Sequence, residues 1–260
     1  HAHGDPIADA SFPNFLAQGV TTIVLGQDGR SPEASALAAH LDSVSGARPA
    51  VNIAYLVGHN TVRRESGVGF DAPGADGLER MAALVERALD AGAFGLSTGL
   101  EYDPGSRATI DELVAIARPV AARSGIVMSH MRNEDADRVA ESLAELIEQG
   151  RRSGARVHAS HLKIVLGNDP TQATALLDAM DAARAEGVEI TADVYPYTAS
   201  FSGLALLFPE WARPPHEYEA VVRERSDELA THLRRRVESR NGPGATLFGT
   251  GQWSGRTLDE

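Results

Sequence analysis

The strongest constraint on the fold of this chain is a rhythm. Six apolar runs, at residues 20–25, 50–57, 93–98, 125–129, 156–160 and 188–194, alternate with helical stretches in units of about 30–35 residues. The run Val20-Thr21-Thr22-Ile23-Val24-Leu25 is β-branched and almost unbroken in apolarity, as a strand covered on both faces requires. Between the runs the spacing changes, and Met81, Leu84, Val85, Ala88 and Leu89 fall on one side of a helix. Helices are expected at 12–18, 33–44, 78–91, 110–123, 138–153 and 171–186, with a kink or break at Pro119. Strict βα alternation implies a parallel sheet. The polar, Gly-rich span 63–76 reads as a long loop, of a length that tends to carry function.

Nearly every strand ends in a polar tip. The tips are Gly26-Gln27-Asp28-Gly29, Gly58-His59-Asn60, Gly99-Leu100-Glu101, His130-Met131-Arg132, His161-Leu162-Lys163 and Tyr195-Pro196-Tyr197. Polar residues at successive C-terminal strand ends are the active-site pattern of a (β/α)8 TIM-like barrel. The competing architecture, a doubly wound open sheet, concentrates function at one switch-point crevice. Beyond residue 200 the pattern degrades into an apolar 204–208, a charged helical stretch at 216–241, a short strand at 245–249 and the beginning of another helix. The expected organisation is one partial barrel over 1–260. Its core is 1–200, and 201–260 forms a less regular insertion and the start of a further βα segment.

The chemistry starts at His1-Ala2-His3. One intervening residue puts both imidazoles on the same side of an extended strand, and two neutral imidazoles facing one way suit a divalent metal, zinc most often. Taken alone, the pair is equally a stray. His130 and His161 at two further strand ends, with Asp28 at a third, make convergence on one metal centre the better reading, because a carboxylate can bridge two ions. A net charge of −12 is the wrong sign for a nucleic-acid or anionic-membrane partner. No apolar run approaches the roughly 20 residues that span a bilayer. Without cysteine there is no thiolate nucleophile or ligand, which fits a reducing compartment, and a cytoplasmic location is expected. Lys163 is the only lysine among 24 basic residues, two positions past His161 and on its strand face.

These blocks resemble the D-aminoacylase (N-acyl-D-amino-acid deacylase) group of the amidohydrolase superfamily. The resemblance rests on His1-Ala2-His3, Gly19-Val20-Thr21-Thr22, Tyr55-Leu56-Val57-Gly58-His59, Gly95-Leu96-Ser97-Thr98-Gly99-Leu100-Glu101-Tyr102, Ser129-His130-Met131-Arg132, Ser160-His161-Leu162-Lys163 and Asp193-Val194-Tyr195-Pro196-Tyr197, in order over residues 1 to about 200. It implies an amidohydrolase barrel holding one or two zinc ions. His130, His161 and the residue at position 28 bind the tighter ion, and His1 and His3 contribute to a weaker site. It implies a metal-bound hydroxide that attacks the amide of an N-acyl-D-amino acid, a small-molecule substrate with a free carboxylate. Lys163 and Tyr195 hold that carboxylate, with Arg132 and His59 as further substrate or supporting groups. Glu101 is a ligand or an acceptor for a ligating histidine.

Two departures matter. The group's loop after this strand typically carries Cys where the present chain has Asp28, and a hard carboxylate admits manganese beside zinc. The group's catalytic aspartate follows a last barrel strand, which is expected beyond Glu260, and the segment leading into the first strand is likewise expected to be missing. The chain thus reads as truncated at both ends, with no catalytic residue assigned and little turnover expected. Alternatives are another amidohydrolase (dihydroorotase, hydantoinase or isoaspartyl dipeptidase-like) and a non-catalytic metal-binding relative.

Overall fold

The computed structural model describes residues 1–260, which divide into two compact units, His1–Tyr195 and Pro196–Glu260. The elements of the first unit are α1 (Pro13–Leu16), β1 (Thr22–Leu25), α2 (Leu37–Ala47), β2 (Asn52–Gly58), α3 (His59–Glu65), α4 (Gly74–Asp90), β3 (Gly95–Gly99), α5 (Ile110–Ala122), β4 (Ile126–His130), α6 (Val139–Ser153), β5 (Arg156–Ala159), α7 (Pro170–Ala185) and β6 (Ile190–Ala192). All six strands are parallel, and their spatial order is their chain order. A doubly wound sheet must reverse order somewhere. This one never does, so the barrel architecture holds over the six strands present.

Burial explains the arrangement. Val57, Leu96, Val127, Val157 and Ile190 point outward from the strands into one continuous core, where they meet Met81, Val85, Leu113, Ile116, Leu143 and Met180 from the covering helices. Two helix starts are capped by side chains. The Thr109 side chain accepts from the Glu112 N–H at the start of α5, and Asp169 accepts from the Thr171 N–H where Pro170 opens α7. Helix α5 runs unbroken through Pro119, against the kink expected there. The ring sits in the last turn, so only the Ala115 carbonyl loses its helical donor. Strand β6 is shorter than expected because the Val188 N–H closes the end of α7 on the Ala183 carbonyl and Val194 is 73% exposed.

The span 63–76 is not an open loop. Its first residues belong to α3, and Arg63, fully buried, holds the rest from inside by donating to the carbonyls of Gly69 (2.8 Å) and Asp71 (2.6 Å).

In the second unit, helix α8 (Tyr218–Glu238) is interrupted at Arg225, whose guanidinium lies 3.6 Å from the centre of the Trp211 ring. Ala212, Val221 and Leu229 form a small core with Phe208, Trp211 and Leu233. The final residues do not begin a helix. Gly251 and Gly255, at φ +81° and +85°, turn the chain back so that Leu247 bridges Thr257 in antiparallel fashion. No helix is long and apolar enough to cross a membrane.

Candidate metal centre

Asp28 is placed by a turn that only small neighbours admit. It sits at φ +56°, a left-handed conformation that Asp tolerates, and is followed by Gly29 at φ +72°. A Cβ on Gly58 would lie 2.4 Å from the Gly29 backbone, and one on Gly99 would lie 2.2 Å from the Asp28 carbonyl. The glycine ends of β2 and β3 therefore make the space in which the turn lies. Ser97 locks it, accepting from the Gly29 N–H (3.1 Å) and donating to the Gly26 carbonyl (2.5 Å).

The histidines arrive from other strand ends. His130 is the last residue of β4, and His161 follows β5 at φ +40°, its N–H held by the Asp193 carboxylate. His1 and His3 flank Ala2, whose N–H donates to the Val24 carbonyl of β1 at 3.1 Å. On a flat sheet, β1 and β4 would stand about 14 Å apart, three spacings of ~4.8 Å. Instead Asp28 Oδ1 lies 3.6 Å from His130 Nδ1, 3.7 Å from His161 Nε2 and 3.5 Å from His1 Nε2. The sheet is curled into part of a barrel, and the curl brings the tips together.

Asp28 Oδ1 is buried and makes no hydrogen bond. A carboxylate oxygen facing three imidazole nitrogens without a bond to any is badly served by protein alone. A tetrahedral ion with bonds of about 2.0–2.1 Å needs neighbouring ligand atoms about 3.3 Å apart. The spacings here, 3.0 Å between His130 Nδ1 and His161 Nε2 and 3.5–3.7 Å to Asp28, bracket that value. The other carboxylate oxygen, Oδ2, faces His3 Nε2 at 3.3 Å, and His3 Nε2 is 3.0 Å from His1 Nε2. The donor set fits one ion on His130, His161 and Asp28, and another on His1, His3 and Asp28.

Electrostatics agree. Burial alone would raise the Asp28 carboxyl, but the imidazoles of His161, His3 and His130 outweigh it and hold it far below the usual carboxylate range. Burial likewise works against a charged His161, yet Asp28 and Glu134 push its pKa up to about 9. The far nitrogen of His130, Nε2, lies 3.0 Å from Glu101, and Tyr102 packs on the His130 ring with centroids 4.5 Å apart. Lys163 Nζ sits 3.0 Å from His161 Nδ1, pairs with Glu134, and lies 5.6 Å from the centre of the Tyr195 ring.

His59 and Arg132, expected as substrate or supporting groups, both lie in structural contacts. His59 has no exposed surface. Its Nε2 meets Glu112 at 2.7 Å, and Glu112 also takes both bonds of Arg63 Nη1 at 2.6 Å. This buried triad ties α3 to α5, and a side chain sealed within it cannot touch substrate. Arg132 pairs with Glu145 through Nε at 2.9 Å and donates to the carbonyls of Ser106 and Ala108, each at 2.8 Å, so its fork is committed to packing. Conversely, Glu134 and Asp193 were given no role by the sequence, although Asp193 opens the Asp193-Val194-Tyr195-Pro196-Tyr197 block, and both reach His161 only through the fold.

A parallel sheet curled so that imidazoles and a carboxylate converge at its C-terminal strand ends is part of an α/β barrel with a donor set suited to a divalent metal. No family model matches the chain. An N-acyl-D-glutamate deacylase of Alcaligenes xylosoxydans xylosoxydans is 38% identical over 198 residues, which is 75% of this chain and 39% of the relative. The solved N-acyl-D-glutamate deacylase of Bordetella bronchiseptica, complexed with zinc and a phosphonate mimic of the tetrahedral intermediate, superposes with a TM-score of 0.63 at 35% identity, over 70% of this chain and 43% of that one. A D-aminoacylase structure described as defining a novel subset of amidohydrolases gives 0.68 at 29% identity, over 74% of this chain and 45% of that one. The chain belongs to the D-aminoacylase group of the amidohydrolase superfamily. It spans about two-fifths of the length of the relatives it matches.

Proposed function

We propose that this chain carries the metal-binding part of a hydrolase that cleaves the amide bond of N-acyl-D-amino acids. The observation that carries the reading is the buried, unbonded Asp28 Oδ1 among three imidazole nitrogens. His130, His161 and Asp28 hold the tighter ion, and His1 and His3 with Asp28 hold the weaker. Exposure supports that ranking through His3 alone, whose side chain is 66% exposed against 6% for His130 and 11% for both His161 and His1. The zinc of the Bordetella structure supports zinc here, and the carboxylate at position 28 extends the preference toward manganese.

A divalent ion bound at such a site polarises a carbonyl and lowers the pKa of a bound water toward ~7. The chain's own residues do the rest of the work assigned to them. Asp28, locked by Ser97 between the glycine ends of β2 and β3, would be the ligand common to both ions, with Oδ1 toward His130, His161 and His1 and Oδ2 toward His3. Lys163, 22% exposed beside His161, offers its ammonium to the carboxylate of a small-molecule substrate, and the Tyr195 ring lies next to it. The proton-transferring carboxylate that the resemblance implies is assigned to no residue of 1–260, so the roles proposed here are binding and orientation.

The test is metal analysis joined to a substrate panel. One to two equivalents of zinc or manganese should remain after desalting, and any release of acetate from N-acetyl-D-amino acids should exceed that from N-acetyl-L-amino acids or cyclic amides and stop on chelation. Hydrolysis that persists in metal-free protein refutes the proposal. Preference for a cyclic amide transfers it to a hydantoinase-like reaction.

A further inference from the structure

We infer that Glu134 is the positioning residue of the metal centre, the acceptor that fixes which nitrogen of His161 faces the ion. The inference rests on the metal-binding reading above. Glu134 is 5% exposed, and its two oxygens face different partners. Oε2 pairs with Lys163 Nζ, whereas Oε1 lies 3.0 Å from His161 Nδ1, is buried, and makes no hydrogen bond. A buried carboxylate oxygen without a donor is costly, so its position beside an imidazole nitrogen calls for a use.

Two groups compete for His161 Nδ1. Lys163 Nζ approaches to 3.0 Å and can only donate, whereas the Glu134 carboxylate at the same distance can only accept. The opposite nitrogen, Nε2, faces Asp28 and His130. If Nε2 gives its lone pair to an ion, Nδ1 must carry the proton. Lys163 then ceases to be a partner, and Glu134 Oε1, 3.0 Å away and otherwise unbonded, is the acceptor that a small rotation of the ring engages. A ligating histidine whose second N–H is so held is fixed in tautomer and ring orientation. The same carboxylate keeps Lys163 beside His161, so one buried group aligns both the ligand and the ammonium proposed to meet substrate.

Glu134→Leu removes the acceptor and Glu134→Gln keeps a neutral one. Zinc affinity, measured by competition with a chromophoric chelator, should fall about 10–100-fold in the Leu variant and less in the Gln variant. In zinc-loaded protein with 15N-labelled histidine, His161 should show a protonated Nδ1 and a metal-bound Nε2, and the Gln variant should shift the Nδ1 resonance. Equal affinities in wild type and both variants, or metal on Nδ1, overturn the inference while leaving the metal reading intact. A wild type that takes no zinc overturns both. Should the Leu variant fail to fold, the Gln affinity and resonance decide.

Discussion

Replacing Glu112 with alanine is the perturbation whose cost the structure states most directly. Glu112 is 1% exposed and Arg63 is fully buried, and two bonds of 2.6 Å join Arg63 Nη1 to the carboxylate, which also takes the His59 contact at 2.7 Å. Truncation leaves the guanidinium in place, because its other bonds to Gly69 and Asp71 carbonyls survive, but strips it of its counter-ion. Removing one partner of a buried pair typically costs about 3–5 kcal/mol, mainly through the charge left behind. Glu112→Gln retains volume and an acceptor, so about half that loss is expected, since a bond between a neutral and a charged group is worth roughly 1.5–3 kcal/mol. The exposed pair Arg138–Glu141, with side chains 54% and 71% exposed, is the internal control. Glu141→Ala should cost under about 1 kcal/mol. Urea unfolding followed by circular dichroism measures all three. A Glu112→Ala loss as small as that of Glu141→Ala refutes the claim that the triad holds α3 and the span after it.

The remaining predictions concern the site. His161 must be neutral to bind a metal, yet it stays protonated up to about pH 9 in metal-free protein, so zinc affinity should rise about tenfold per pH unit up to there and level off above it. A flat affinity between pH 6 and 8 contradicts the assignment. By the same linkage, the raised His161 stabilises the metal-free fold fully below its unfolded value of 6.5, and that contribution fades as pH climbs to about 9. Asp28→Cys should shift selectivity from manganese toward zinc, at a folding cost of about 1–2 kcal/mol for a less tolerant residue at φ +56°. Unchanged zinc-to-manganese ratios would count against Asp28 as a shared ligand.

How much of this was legible in the chain follows from what each residue needs. Strand ends are local, so Asp28, His130 and His161 could be read as one rim from the βα rhythm alone. His59 sits at a strand end by the same rule, but its partners Arg63 and Glu112 lie four and 53 positions on, and only packing shows that they bury it. Arg63 looked like part of a polar loop because a buried guanidinium and an exposed one have the same sequence. Thr109-x-x-Glu112 is a capping pattern, yet here the carboxylate turns to Arg63 instead of back to its own helix start. Glu134 lies in the acidic run Glu134-Asp135-Ala136-Asp137, where nothing local separates it from its neighbours. It becomes distinct only because β5 brings His161 alongside.

A metal centre on Asp28, His130 and His161 at the curled strand ends is the proposal on which every other role at this site depends. Zinc titration of the wild-type chain against His161→Ala, with bound metal counted after gel filtration, tests it most directly. At least one tightly held equivalent is expected in the wild type, and its loss in the variant. Equal metal content in the two proteins, or none in either, would contradict it.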